Sequence, residues 1–267
     1  MLEALSQSLE NTKKLLELET PEQPQKPSSL ECEGGCGKLI EPEFVPAASF
    51  LSSLIKGTNE WHYPDLTCWD CKTKVWEEKK VLDKKETIKS YISGANIPKR
   101  FMDAEISDIN GKCLEALRGH IEDYLLRKNN LFIHGACGVG KTFPAVALLK
   151  EFIRRNGCQG HFKSVPSLCD ELRVGIRNHT SEDILEELMN YRALVLDDLG
   201  VERPTEYVIE RLYLFFNYWY ENMQTGLIIT SNRLLDDIGQ RLDDRISSRI
   251  FSMCAVVEIT GKDRRIG

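Results

Sequence analysis

The sequence has no apolar stretch approaching the ~20 residues that a membrane-spanning helix requires, so no membrane partner is expected. Its opening residues, MLEALSQSLENTKK, lack the basic start and apolar core of a secretory signal, and export is not expected. No internal repeat is present, so the fold is not a stack of like units. Basic residues are not in surplus: 35 lysines and arginines face 41 aspartates and glutamates, a formal charge of −6. That balance does not advertise a polyanionic partner, although a local basic face stays open. The nine cysteines are odd in number and scattered, which argues against a disulfide framework. They fit thiols or a metal in a reducing, cytoplasmic compartment. What the chain does have is length: 267 residues suffice for one core of ordinary size plus a smaller module.

Leu2, Leu5, Leu9 and Leu16 recur at helical spacing, so residues 2–19 read as an amphipathic helix that either covers its own module or docks on a partner. The proline-rich TPEQPQKPSS reads as a linker. Residues 31–72 hold four cysteines and little periodicity. VWEEKKVLDKKETIKSYI then reads as a charged helix with a solvated face, broken by GANIP. The expected division is therefore an N-terminal module of residues 1–93 and a second domain of residues 94–267.

In the second domain NLFIHG, GHFKSV, RALVLDD, GLIITSN and CAVVEIT read as strands. Helices are expected from about Gly140, over PSLCDELRVGIRN with Pro166 at its start, and from TSED, where Thr180 or Ser181 can cap. Two more are expected over PTEYVIERLYLFFNYWYENM and DDRISSRI. Strands alternating with helices predict an α/β fold with a mostly parallel, five-stranded sheet covered on both faces. Right-handed crossovers then bring every strand's C-terminal end to one edge, where ligands bind.

Between the first strand and its helix stands Gly135-Ala136-Cys137-Gly138-Val139-Gly140-Lys141-Thr142, which matches G-x-x-x-x-G-K-[ST] at every fixed position; Phe143 follows. Glycines permit backbone conformations that side chains block, so successive N–H groups turn inward around a phosphate. The helix that follows adds the positive end of its dipole. Lys141 is placed to reach the outer phosphates of ATP and Thr142 to hold Mg²⁺. Pro144, inside that helix, costs little near the first turn and a hydrogen bond farther in.

ALVLDDLG is an apolar strand ending in two carboxylates. Asp197 is assigned to Mg²⁺ and Asp198 to the attacking water; capping a turn is the plainer role. In IITSN, Asn232 is placed to bond the water or the γ-phosphate, or simply to make a turn. Arg245 and Arg249 are four apart and share a helix face, suited to a neighbour's γ-phosphate or to ordinary surface ion pairs. Upstream, Cys32-x₃-Cys36 and Cys68-x₂-Cys71 are two close pairs with tetrahedral Zn²⁺ spacing, and Gly34, Gly35 and Gly37 allow a tight knuckle. Free thiols and a redox pair are the alternatives, and His62 is a possible substitute ligand. Cys113, Cys158, Cys169 and Cys254 carry no assigned role, while oxidation of Cys137 would hinder the phosphate loop.

In this order, NIPKRF, GACGVGKT, ALVLDDLG, IITSNR, DRISSRI and GKDRR resemble the AAA+ ATPases, and within them the bacterial replicative helicase loaders of the DnaC/DnaI type, over residues 96–265. The resemblance implies a P-loop NTPase domain without the usual C-terminal lid. It implies Arg249 as arginine finger, Arg245 as its supporting arginine, and Arg264 or Arg265 as second sensor. The helices between GHFKSV and RALVLDD correspond to an insertion that holds single-stranded DNA, with Lys163, Arg173 and Arg177 as backbone contacts. A zinc module that grips the helicase belongs to the DnaI-type branch.

The implied function is an ATPase that loads the replicative helicase hexamer onto single-stranded DNA during replication and self-associates through its ATPase domain. Hydrolysis is expected to be slow until DNA or a neighbour completes the site. Two departures stand out: Pro144 after the loop, and Asp198 where many AAA+ enzymes carry Glu. The shorter side chain bears on hydrolysis more than on binding. Two rivals stand beside this reading, an IstB-type transposition helper and an adaptor that senses ATP without hydrolysing it.

Overall fold

The computed structural model of the protein describes residues 25, 28–45, 60–62, 66–200 and 204–263. The helix expected over residues 2–19, most of the TPEQPQKPSS linker, and Arg264 and Arg265 lie outside the described residues. The chain divides into two compact units, Met1–Val81 and Leu82–Gly267. In the first, β1 (Leu30–Glu31) pairs antiparallel with β2 (Leu39–Ile40), and β3 (Glu43–Val45) with β4 (Glu60–His62). Helix α1 (Trp69–Ser93) starts before the charged stretch that announces it and takes in Cys71. The division into units falls inside this helix, whereas the sequence reading places the boundary at its end.

The second unit holds a five-stranded sheet built from β5 (Asn130–His134), β6 (Gly160–Ser164), β7 (Ala193–Asp197), β8 (Leu227–Ser231) and β9 (Cys254–Glu258). Their order is β6-β7-β8-β5-β9, and every neighbouring pair is parallel. Successive residues of a strand face opposite ways, and β5, β7 and β8 are buried on both faces. Leu131 and Ile133 pack with Val195 and Ile228 against α4 (Thr142–Asn156), whose Leu148, Leu149 and Phe152 are fully buried. Phe132 turns the other way, with Leu194, Leu196 and Ile229. Its neighbours come from α5 (Val165–Asn178), α6 (Ser181–Asn190) and α7 (Glu206–Glu221). Three short helices escape the periodicity of the sequence: α2 (Gly111–Leu117) and α3 (Ile121–Leu125) before the sheet, and α8 (Leu235–Arg241) just ahead of α9 (Asp244–Met253).

Two local expectations are refined. Pro144 is the third residue of α4, where the missing N–H has no intrahelical acceptor in any case, so no ladder bond is lost. The cap expected at the start of α6 is absent: Thr180 makes no side-chain cap bond, and the Ser181 hydroxyl instead donates to the Leu172 carbonyl at 3.2 Å. The turn from α5 is so tight that a Cβ on Gly175 would lie 2.7 Å from the Ser181 hydroxyl, so the serine ties the two helices together.

The segment leading into this unit is held on α4 by charge. Lys150 is almost completely buried, and its ammonium donates to the carbonyls of Met102 (2.7 Å) and Ala104 (2.8 Å) and to the Glu105 carboxylate (2.7 Å). Arg154 grips the same carboxylate with both terminal nitrogens. The Arg154 guanidinium first, then Lys150, holds the Glu105 carboxyl down from 4.5 to about 2. A depressed carboxylate contributes stability above its unfolded value that is lost as pH falls through the folded one. The difference in unfolding free energy between wild type and Glu105→Gln, followed by urea titration, should hold steady above pH 4.5 and shrink from there down to about pH 2.

Candidate nucleotide site and metal centre

The C-terminal ends of β7, β8 and β5 open side by side on one edge of the sheet. The phosphate loop leaves β5 there, with positive φ at Gly135 (152°), Gly138 (79°) and Gly140 (93°). Two of these glycines are also required by close approach. A Cβ on Gly135 would lie 2.1 Å from the Ile259 carbonyl oxygen, and one on Gly138 would lie 1.8 Å from a carboxylate oxygen of Asp263. Lys141, buried under the loop, donates to the carbonyls of Gly135 and Ala136, each at 3.0 Å.

Asp197 closes β7 and is 5% exposed. Its Oδ1 accepts from the hydroxyls of Thr142 (2.9 Å) and Thr230 (2.7 Å). Burial raises its pKa, the neighbouring Asp198 charge adds to the rise, and the Thr230 and Thr142 hydroxyls partly counter it. Asp198 sits in the left-handed region at φ 64°, an unusual conformation for a residue with a side chain, and its N–H donates to the Thr230 hydroxyl at 3.0 Å. Asn232, just past β8, donates to the Cys137 sulfur at 3.4 Å and keeps a buried Oδ1 with no partner among the described residues. A cavity of about 400 Å³ opens beside Asp198 and Asn232. Residues of the loop from Cys137 to Phe143 form part of its wall, and Asp198, Asn232, Arg100 and Phe101 complete it.

The residues fit a magnesium nucleotide. The loop supplies a lysine and inward-turned backbone, and the Thr142 hydroxyl with the Asp197 carboxylate is a hard-oxygen pair of the kind Mg²⁺ prefers. A cation beside Asp197 would oppose the effect of burial and favour its ionised form. Three residues missing from the sequence-based site belong to it. Thr230 links both aspartates. Arg100 and Phe101 line the cavity, the guanidinium lying 4.4 Å from the ring centroid. NIPKRF flagged their segment without giving it a role.

Other candidates stand elsewhere. Neither Arg245 nor Arg249 borders the cavity. Arg245 pairs with Asp243 and lies over the Tyr213 ring. Arg249 donates from Nε to Asn217 and lies over the Tyr220 ring. Of the proposed DNA contacts, Lys163 pairs with Glu171 and Arg173 with Asp170, while Arg177 is exposed in the last turn of α5.

In the first unit the sulfurs of Cys32, Cys36, Cys68 and Cys71 lie within 4.8 Å of one another. Tetrahedral zinc with bonds of about 2.3 Å needs sulfurs about 3.8 Å apart, so the cluster is compatible with zinc. Cys32 accepts backbone N–H bonds from Cys68 (3.2 Å) and Gly34 (3.3 Å), and the Cys68 amide leads in lowering its thiol to about 7. Cys71 moves the opposite way, pushed up to about 12 by hydrogen bonding with Cys36 and then Cys68. Four thiols in such contact cannot all ionise on their own, and a divalent cation would let them. A side chain at Gly34 would press on Cys71, its Cβ 2.6 Å from the sulfur. His62 belongs to β4.

Fold and site together define a P-loop nucleotide-binding protein with an AAA+ type parallel sheet. The chain belongs to the IstB-like ATP binding protein family, whose sequence profile matches residues 72–266. It is similar to the replicative helicase loader DnaI of Bacillus subtilis (strain 168), 26% identical over 222 residues, covering 75% of this chain and 69% of DnaI. Among solved structures it resembles the DnaC helicase loader, with a TM-score of 0.55 and 28% identity over 61% of this chain and 100% of that one. It also resembles DnaI, with a TM-score of 0.55 and 25% identity over 66% and 99%. The resemblance to AAA+ helicase loaders read from the motifs is thus borne out.

Thr230→Val should lower the free energy of unfolding by about 1–3 kcal/mol, because Asp197 and the Asp198 N–H each lose a partner in a dry place. Urea titration measures this, and an unchanged midpoint would mean that the Thr230 hydroxyl does not hold the two aspartates in place. Protein purified without chelator should carry about one zinc per chain by metal analysis, and Cys71→Ser should lower that content.

Proposed function

We propose that the protein is an ATP-dependent loader of the replicative DNA helicase that hydrolyses ATP in the cavity beside Asp198. The observation that carries this reading is the likeness to DnaI, which covers 75% of this chain and 69% of DnaI. The four-cysteine cluster, which lies wholly ahead of the residues that match the IstB-like profile, favours a loader over an IstB-type transposition helper. In this reading Lys141 and the loop amides hold the β- and γ-phosphates. Thr142 and Asp197 would hold Mg²⁺, which offsets phosphate charge when bound. Asp198 orients the attacking water, and Asn232 takes part through its buried oxygen. Arg249 comes from a second copy of the chain, because it does not border its own cavity. The zinc module would grip the helicase. Single-stranded DNA would take Lys163 and Arg173 over from Glu171 and Asp170, with Arg177 already open to it.

By titration calorimetry, Lys141→Ala should weaken Mg·ATP binding by about 100-fold or more. Asp198→Asn should bind ATP and lose turnover; unchanged function of that variant in the absence of turnover would favour the non-hydrolysing adaptor. Gel filtration with purified replicative helicase, and in parallel with a transposase, decides the partner. Co-elution with the transposase alone would sink the loader reading.

A further inference from the structure

Arg249 is held in a manner that ordinary surface arginines are not. It projects from α9 onto one face of α7, where Tyr213, Asn217 and Tyr220 follow at helical spacing. Its Nε donates to the Asn217 side-chain oxygen at 3.0 Å, and its guanidinium lies 4.4 Å from the Tyr220 ring centroid. No carboxylate pairs with it among the described residues. Arg245, one turn earlier, is different: its guanidinium is neutralised by Asp243, with Nε and Nη2 both engaged. So of two arginines on one helix face, one is tied up by an acid and the other is oriented by neutral groups only. The amide fixes the near end of the Arg249 guanidinium, and the ring supports its plane. Nη1 and Nη2 have no partner among the described residues and form a fork suited to a phosphate.

We infer that Asn217 and Tyr220 are positioning residues that preorganise the Arg249 fork for a phosphate of nucleotide held by a second copy of the chain. This rests on the proposed role of Arg249 between copies. A free arginine must give up side-chain freedom when it meets an anion; one already clamped by α7 has less to lose. The amide is the right clamp because it accepts from Nε without cancelling the charge, as a carboxylate would.

The test is nucleotide-dependent self-association of the full chain, titrated by sedimentation with Mg²⁺ and a non-hydrolysable ATP analogue. Asn217→Ala should weaken association about tenfold, with the analogue's affinity for the single chain and the melting temperature unchanged. Tyr220→Leu should weaken it a few-fold, and Tyr220→Phe, which keeps the ring, should restore wild-type behaviour. In an Arg249→Ala background, Asn217→Ala should add nothing, whereas a merely structural role predicts the full loss again. If Arg249→Ala weakens association while Asn217→Ala does not, the positioning role is overturned and the Arg249 reading survives. If Arg249→Ala has no effect, both fall.

Discussion

A carboxylate with almost no access to water, Asp197, sets the terms for the nucleotide site. Burying a carboxylate is costly unless donors or a cation meet it. The two donors come from different places, Thr142 at the start of α4 and Thr230 near the end of β8, while Asp197 itself ends β7. Two strands must therefore finish, and α4 begin, at one level on the same edge. Parallel neighbours in the order β7-β8-β5 do this directly. An antiparallel strand in place of β8 would present its beginning there and leave Asp197 short of a partner. Thr230 carries the constraint one residue farther: the hydroxyl that donates to Asp197 also receives the Asp198 N–H. The left-handed turn at Asp198 is thereby pinned to the sheet.

The loop is steadied from both sides by the strands that flank β5. On one side Asn232, past β8, touches the sulfur of Cys137. On the other the chain past β9 extends the pairing, the Ile259 N–H donating to the His134 carbonyl at 2.8 Å. That places the Ile259 carbonyl against Gly135, and Asp263 lies against Gly138. The Glu105 clamp acts at a distance from the loop but on the same helix. By fixing the segment of Met102 to Glu105 on α4, it keeps the nearby Arg100 and Phe101 on the wall of the cavity. Backbone conformation, strand order and one partly buried ion-pair network thus converge on a single pocket.

Much of this was legible because local composition decided it. Five expected strands became five strands, and burial on both faces explains why β5, β7 and β8 read as continuous rather than alternating. Gly135 to Thr142 and the two aspartates stood at fixed spacing, so their convergence followed from the parallel sheet. What the sequence hid was set by pairing across long separations. Thr230 is one polar residue in an apolar strand until its register with β7 places it over Asp197. Glu105 and Lys150, or Asn217 and Arg249, meet only because helices pack. Lys163 looked like a free cation, yet the turn from β6 into α5 brings Glu171 to it. Helices of seven residues or fewer, such as α2, α3 and α8, are too short to show a period.

The two candidate metal sites obey opposite chemistry. Four sulfurs make a soft set, while a hydroxyl and a carboxylate make a hard one. Zinc is favoured by the first and magnesium by the second, so neither ion is drawn to the other's place at ordinary concentrations. Their permanence differs for a physical reason as well. Among the described residues of the first unit the buried ones are Cys32, Pro42 and Cys71, two of them in the cluster itself. Zinc bound by the four sulfurs would tie the segment of Cys32 and Cys36 to that of Cys68 and Cys71 only while it stayed. Asp197 has no such dependence. Two hydroxyls already satisfy it, so a cation that arrives and departs with nucleotide changes the charge at the edge of the sheet without removing what holds the sheet together.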